Sequence, residues 1–260
     1  MRVRNGGPGR DAALSFSPAV TGTVYLATNP GGSGSYTLSL EEAGRTITGT
    51  PARDTLTGAT GDDTIDGLAS DDTLFGATGD DRLTGGDGND QLFGQDGADR
   101  IFAGRSDDTV LAGRGADFVW GGFGADVISG GAGDDDLRGG TGADLLAGGP
   151  GDDILRGGFG ADLIVGGPGE DTAFGGLGDD AFVWIAPGIS GQAGGTGLYD
   201  GGAGHDLLCL VAEGGLADAL IQAAEQGSPD EGGAGRDEVA GRGVRAAGIK
   251  EVIVLRPEER

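Results

Sequence analysis

The sequence predicts an all-β protein, a right-handed parallel β-roll: a two-sheet solenoid of 18-residue coils, with a short antiparallel β segment before it and a small cap after it. Three observations predict this. From Gly49 to Val183 the chain divides without a gap into 15 nonamers, such as GATGDDTID (58–66), GGTGADLLA (139–147) and GGFGADLIV (157–165). Position six is Asp in all 15, and position eight is Leu, Ile or Val in 13, with Ala173 and Phe182 as the exceptions. Position one is Gly in 13 and position four in 12, with Ala103 and Ala112, and Ala52, Ser70 and Ser106, standing in.

Each element of the nonamer has a physical reading. Gly at positions one, two and four permits positive φ, so the first six residues read as a turn. The last three, x-aliphatic-x, read as a short strand with one side chain inward. Two such units make one flattened coil, and stacked coils make two parallel sheets around a narrow core of position-eight side chains. Strands stack about 4.8 Å apart, so aspartates 18 residues apart sit about that far apart on one edge. Bare carboxylates at that spacing repel. Calcium binds oxygen at about 2.3–2.6 Å, so a Ca²⁺ between two such carboxylates fits, and carbonyls of the turns complete its shell. Mg²⁺ fits less well because it prefers about 2.0–2.1 Å and keeps its water. The candidate ligands are Asp63, Asp72, Asp81, Asp90, Asp99, Asp108, Asp117, Asp126, Asp135, Asp144, Asp153, Asp162, Asp171 and Asp180. Fifteen turns allow at most about 13 ions, whose +26 compares with a formal charge of −25.

Composition agrees. Gly is 60 of 260 residues and aromatics are 5%, so folding is entropically costly and the apolar core is thin. Low hydrophobicity with 42 acidic against 17 basic residues describes a chain that stays unfolded without counter-ions and excludes a basic nucleic-acid face. One cysteine, Cys209, excludes an intrachain disulfide framework or thiolate zinc cluster. One histidine, His205, removes most His-based chemistry; it sits at a turn position that should face solvent. No run approaches the roughly 18 apolar residues of a membrane span. MRVRNGGPGRDAAL lacks the apolar stretch of a secretory signal.

The nonamers match G-G-x-G-x-D-x-U-x, and over 135 contiguous residues the chain resembles the repeats-in-toxin (RTX) family of calcium-binding β-rolls. The resemblance implies a secreted bacterial protein, exported unfolded by type I secretion machinery and folded by external Ca²⁺. That family's export signal lies at the extreme C-terminus, and the charged ending LRPEER departs from its apolar endings. Blocks from Gly121 to Val183 are closest to consensus. The 49–57 block, GTPARDTLT, has lost three turn features and reads as a cap. Turns 67–72 and 103–108, with Ser at position four, are expected to hold ions more weakly.

Three regions follow. In residues 1–48, ALSFSP, GTVYLAT and SYTLSL read as three short antiparallel strands, resembling the last strands of β-sandwiches found beside RTX arrays. That is too few for a sandwich. Either the chain is the C-terminal piece of a longer protein, the preferred reading, or the strands dock on the roll. Residues 49–183 are the roll. Residues 184–260 hold a Gly-rich link, one detached block (GGAGHDLLC, 201–209), a helix or strand at 213–226, a surface loop at 227–243 and a closing strand at 249–255.

The period of 18 also sorts outward side chains. One sheet carries Phe75, Phe93, Leu111, Val127, Leu145, Leu163, Val165 and Val183; the other carries Arg82, Arg100, Arg138 and Arg156 with Phe102, Trp120 and Phe174. The apolar ladder is either a docking face, then covered by a flank or partner, or a product of β-propensity alone. No catalytic motif is present: there is no H-E-x-x-H or G-x-S-x-G, and the G-x-G-x-x-G matches precede strands. Adjacent acids such as Asp62–Asp63 and Asp134–Asp135 read as incidental to the repeat. The function read from sequence is non-enzymatic Ca²⁺ binding. The alternatives are the C-terminal part of a secreted peptidase or lipase, or a structural surface protein or adhesin.

Overall fold

The computed structural model describes residues 2–4, 25–27, 40–41, 44–185, 196–211, 237–239 and 244–255. The period of 18 becomes a register of 18: Ile101 pairs with Leu83 below it and Val119 above it, Ile128 with Val110 and Leu146. Odd and even nonamers therefore build separate parallel sheets. The first sheet has 11 strands: ten in parallel from Thr46–Thr48 to Val244–Ala247, and Asp237–Val239 antiparallel at the far edge. The second has 10, from Thr55–Thr57 to Ile249–Leu255.

Position-eight side chains from both sheets meet in one hydrophobic cluster, fully buried from Ile65 to Phe182. The two exceptions compensate each other. Small Ala173 pairs with large Tyr199, which fills the inward slot of the next coil, and Phe182 meets the Tyr199 ring edge-on at 5.9 Å. Trp184 and Leu210 widen the core at that end.

The strands are longer than the sequence suggests. Most run six residues, through positions seven to nine and on through one to three of the next block, as in Thr73–Thr78 and Phe118–Phe123. The turn is therefore three residues, not six. Glycine at positions one and two does not end a strand when coils stacked on both sides supply its ladder bonds. Leu145–Ala147 and Leu163–Val165 do stop short, because Pro150 and Pro168 stand at position three and lack an N–H.

The 201–209 block is not detached. Glu170–Leu177 pairs with Thr196–Ala203 and Ala181–Ile185 with Asp206–Val211, so the coil resumes in register with eight residues more than the repeat. Ile249–Leu255 closes the second sheet as expected, with a bulge at Asp206/Leu207. Asp237–Val239 is a strand inside the segment expected to be a loop; it pairs antiparallel along the edge rather than in the parallel register of the repeat. Near the N-terminus, Arg2–Arg4 lies between Tyr25–Ala27 and Leu40–Glu41. It pairs antiparallel with Leu40–Glu41 and parallel with Tyr25–Ala27, and it is not one of the three strands expected from the sequence. ALSFSP and 213–226 lie outside the described residues. No helix among the described residues is long and apolar enough to cross a membrane.

Candidate metal centres

The turns are set by backbone geometry. Glycines at positions two and four take positive φ, as in Gly122 (115°) and Gly124 (126°). Space demands the same residue: a Cβ on Gly122 would lie 2.2 Å from the Gly104 carbonyl oxygen one coil below. Ser70 and Ser106 keep the conformation at φ 74° and 76°, as do Leu68, Ala77 and Gln95 at position two, against the preference of residues with a Cβ. Position one differs from the sequence reading, since its glycines do not take positive φ. A Cβ on Gly121 would lie 2.4 Å from Asp126 Oδ2 and 2.6 Å from the Gly139 carbonyl oxygen. Glycine there leaves room beside two oxygens.

The position-six aspartates form two rows, one on each edge of the roll. All 14 predicted ligands are buried, from Asp63 to Asp180. From Asp63 to Asp162, and at Asp180, each backbone N–H donates to the carboxylate one coil on: Asp117 N–H to Asp135 Oδ1 at 2.8 Å, Asp135 N–H to Asp153 Oδ1 at 2.9 Å, Asp126 N–H to Asp144 Oδ1 at 2.8 Å. Aspartates 18 apart are thus joined through a backbone donor. The second oxygen is different. From Asp72 to Asp180, all 13 Oδ2 atoms are buried with no hydrogen-bond partner, and Asp206 Oδ2 joins them. Asp206 is a candidate ligand beyond the predicted set. It extends its row through Asp180 N–H to Asp206 Oδ1 at 3.0 Å. Its signal was legible as position six of GGAGHDLLC; the eight added residues hid its register.

Asp63 stands apart from the other predicted ligands. Its Oδ1 accepts the Arg45 N–H and its Oδ2 accepts the Ala59 N–H at 2.6 Å. Asp54, in the degenerate first block, is similar: Thr50 donates its N–H at 2.5 Å and its hydroxyl at 2.9 Å to Oδ2.

Burial of the rows penalises the charged form, and neighbouring carboxylates add to that. Asp81, Asp90, Asp126, Asp144, Asp153, Asp162 and Asp180 are pushed up to about 6, Asp99, Asp135 and Asp171 to about 7, and Asp108 to about 8. Asp72 and Asp117 are raised for the same first cause. Buried, partnerless carboxylate oxygens in a row are costly without a cation. Hard oxygen donors suit Ca²⁺. Among the described residues no three acidic, His or Cys side chains converge on one point, so a full shell draws on backbone carbonyls of the turns.

The position-five acids are not incidental. Asp80 Oδ1 accepts the Ala98 N–H at 2.8 Å, Asp134 Oδ1 the Asp152 N–H at 2.9 Å and Asp179 Oδ1 the His205 N–H at 2.8 Å. They tie one coil to the next from the exposed side. His205 is exposed, as its turn position suggests, and Cys209 is half-buried with its thiol pushed up by desolvation.

A family model described as the RTX calcium-binding nonapeptide repeat (4 copies) matches residues 48–83, 75–110, 84–119, 111–146 and 147–182. Together these cover just over half of the chain. No curated protein matches it.

Proposed function

The chain belongs to the RTX calcium-binding nonapeptide repeat family, and from that premise we propose that it is the Ca²⁺-folded β-roll of a secreted protein. Calcium binding and a structural role follow from the repeats and the roll. Release unfolded through type I secretion machinery, and folding outside the cell, are the finer reading. The observation that carries it is the line of buried Oδ2 atoms without partners, from Asp72 to Asp180 and at Asp206.

The proposed ligands are those aspartates, with carbonyl oxygens of adjacent turns; Asp63, already satisfied by two N–H groups, is the weakest of the predicted set. A divalent cation supplies positive charge against which buried carboxylates stay ionised. Each aspartate contributes one oxygen to the cation, while its other oxygen and its N–H hold the neighbouring coils in register. Binding free energy is then folding free energy. The ion-binding array comprises residues 49–183 extended by 201–209, with residues 1–48 as a separate β segment. At most about 13 pairs of aspartates 18 apart bound the ion count within 49–183. Circular dichroism during Ca²⁺ titration tests this. A coil-to-β transition is expected with Ca²⁺ and a far weaker one with Mg²⁺. No transition by about 10 mM Ca²⁺, past the weak end of extracellular sites, defeats the reading.

A further inference from the structure

Over nine of its ten strands the outer face of the second sheet carries no charge; the closing strand adds Glu251 beside Leu207. Its outward positions pair strand by strand from Thr55 and Thr57, through Phe75, Leu111, Val127 and Leu163, to Leu207 and Cys209, without an Asp, Glu, Lys or Arg. The equivalent face of the first sheet carries Asp66, Arg82, Arg100, Asp136, Arg138, Arg156 and Asp200. In a chain of net charge −25, such a face stands out. Among the described residues it is partly open: Leu111 is 45% exposed, Val127 42% and Leu163 40%.

We propose that this face is a homodimer interface, two copies packing their second sheets face to face. Like-charged chains meet with least repulsion where neither copy presents a charge. The extent fits. Nine strands about 4.8 Å apart span about 38 Å, and strands of three to six residues span about 16 Å on average, giving about 600 Å² per copy or about 1,200 Å² for two. Specific complexes bury about 1,200–2,000 Å² in total, and this face reaches the lower end of that range. The anatomy fits as well. Stacked Phe75 and Phe93, with centroids 4.8 Å apart, and the aliphatics at 111–183 form an apolar centre, while the Asp96–Arg114 pair lies at the rim. Two copies of one regular, flat face make a closed two-fold pair, with sheets about 10 Å apart.

Sedimentation velocity on the full chain in saturating Ca²⁺ tests the proposal, with circular dichroism on the same samples. A species of twice 25.6 kDa is expected. Val127→Glu with Leu163→Glu should convert it to monomer. Val127→Thr with Leu163→Thr, which keeps strand propensity, should raise the dimer Kd at least about tenfold. Trp120→Ser, on the opposite face, should leave the dimer intact. A β-structured monomer overturns the proposal, and so does a dimer that survives both double substitutions. A β-structured monomer that floats with phosphatidylcholine vesicles overturns it in favour of a lipid surface. A chain that never gains β structure in Ca²⁺ sinks the calcium reading and this one together, whereas a folded monomer sinks this one alone.

Discussion

The first two turns of the array and the turns that follow share one sequence frame but treat their aspartates oppositely. At Asp54 and Asp63 the second carboxylate oxygen accepts an N–H from position two, Thr50 or Ala59. From Asp72 to Asp180 and at Asp206 that oxygen has no partner. Backbone conformation separates the two groups. Thr50 and Ala59 are not at positive φ, whereas every position-two residue from Leu68 to Gly176, and Gly202, is. Turning position two into the left-handed region aims its N–H away from the carboxylate and frees an oxygen for a cation. A turn that satisfies its own aspartate caps the stack; a turn that leaves it unsatisfied is a candidate ion site.

The largest expected effect comes from pH, because it acts on both interior rows at once. Interior carboxylates are raised above the usual carboxylate range to about 6–8, so the ion-free roll binds more protons than the unfolded chain. Its stability is fully present below about pH 4 and is lost as pH rises through about 6–8. With chelator present, far-UV circular dichroism should gain β signal from about pH 8 down to about pH 4. With Ca²⁺ the dependence reverses, because ligand carboxylates must shed protons. A chelated signal that is flat or falls on acidification contradicts the row of strained carboxylates.

Single substitutions come next. Asp135→Asn in an interior turn should remove one or two ions in equilibrium dialysis and cost roughly 1–3 kcal/mol in Ca²⁺. Asp54→Asn, where the oxygen already has donors, should leave the ion count unchanged and cost under about 0.5 kcal/mol. Equal losses at the two positions would erase the distinction.

The smallest effect tests the backbone switch itself. Gly122→Ala places a Cβ at φ 115° and 2.2 Å from a carbonyl oxygen, and should cost about 2 kcal/mol in urea unfolding with Ca²⁺ present. Ala59→Gly, outside that conformation, should cost less than about 1 kcal/mol. Comparable costs would mean that position two does not divide the turns.

Much of this was legible because a solenoid converts sequence period into spatial register. Asp at every ninth residue sufficed to place Asp117, Asp135 and Asp153 in one row, and the aliphatic two residues later sufficed to place the core. Three features were not legible. Strand length was misjudged because glycine discourages strands locally, yet ladder bonds to coils above and below override that preference. The place of Asp206 was obscured because register, once established by stacking, tolerates an insertion that sequence periodicity does not. Asp63 could not be told from Asp81, since both are position six of a good nonamer.

The sequence alone determined the coil, the two sheets, the two rows of aspartates and the charge that makes a divalent cation the natural complement, because each depends only on what recurs and how often. The tertiary structure decided which oxygen of each carboxylate is free, where the rows begin and end, and that nine strands of one face stand without a charge. Those outcomes depend on the direction of single N–H groups and on what stacks against each coil. A repeat encodes the average turn, and contacts between turns decide how each one departs from it.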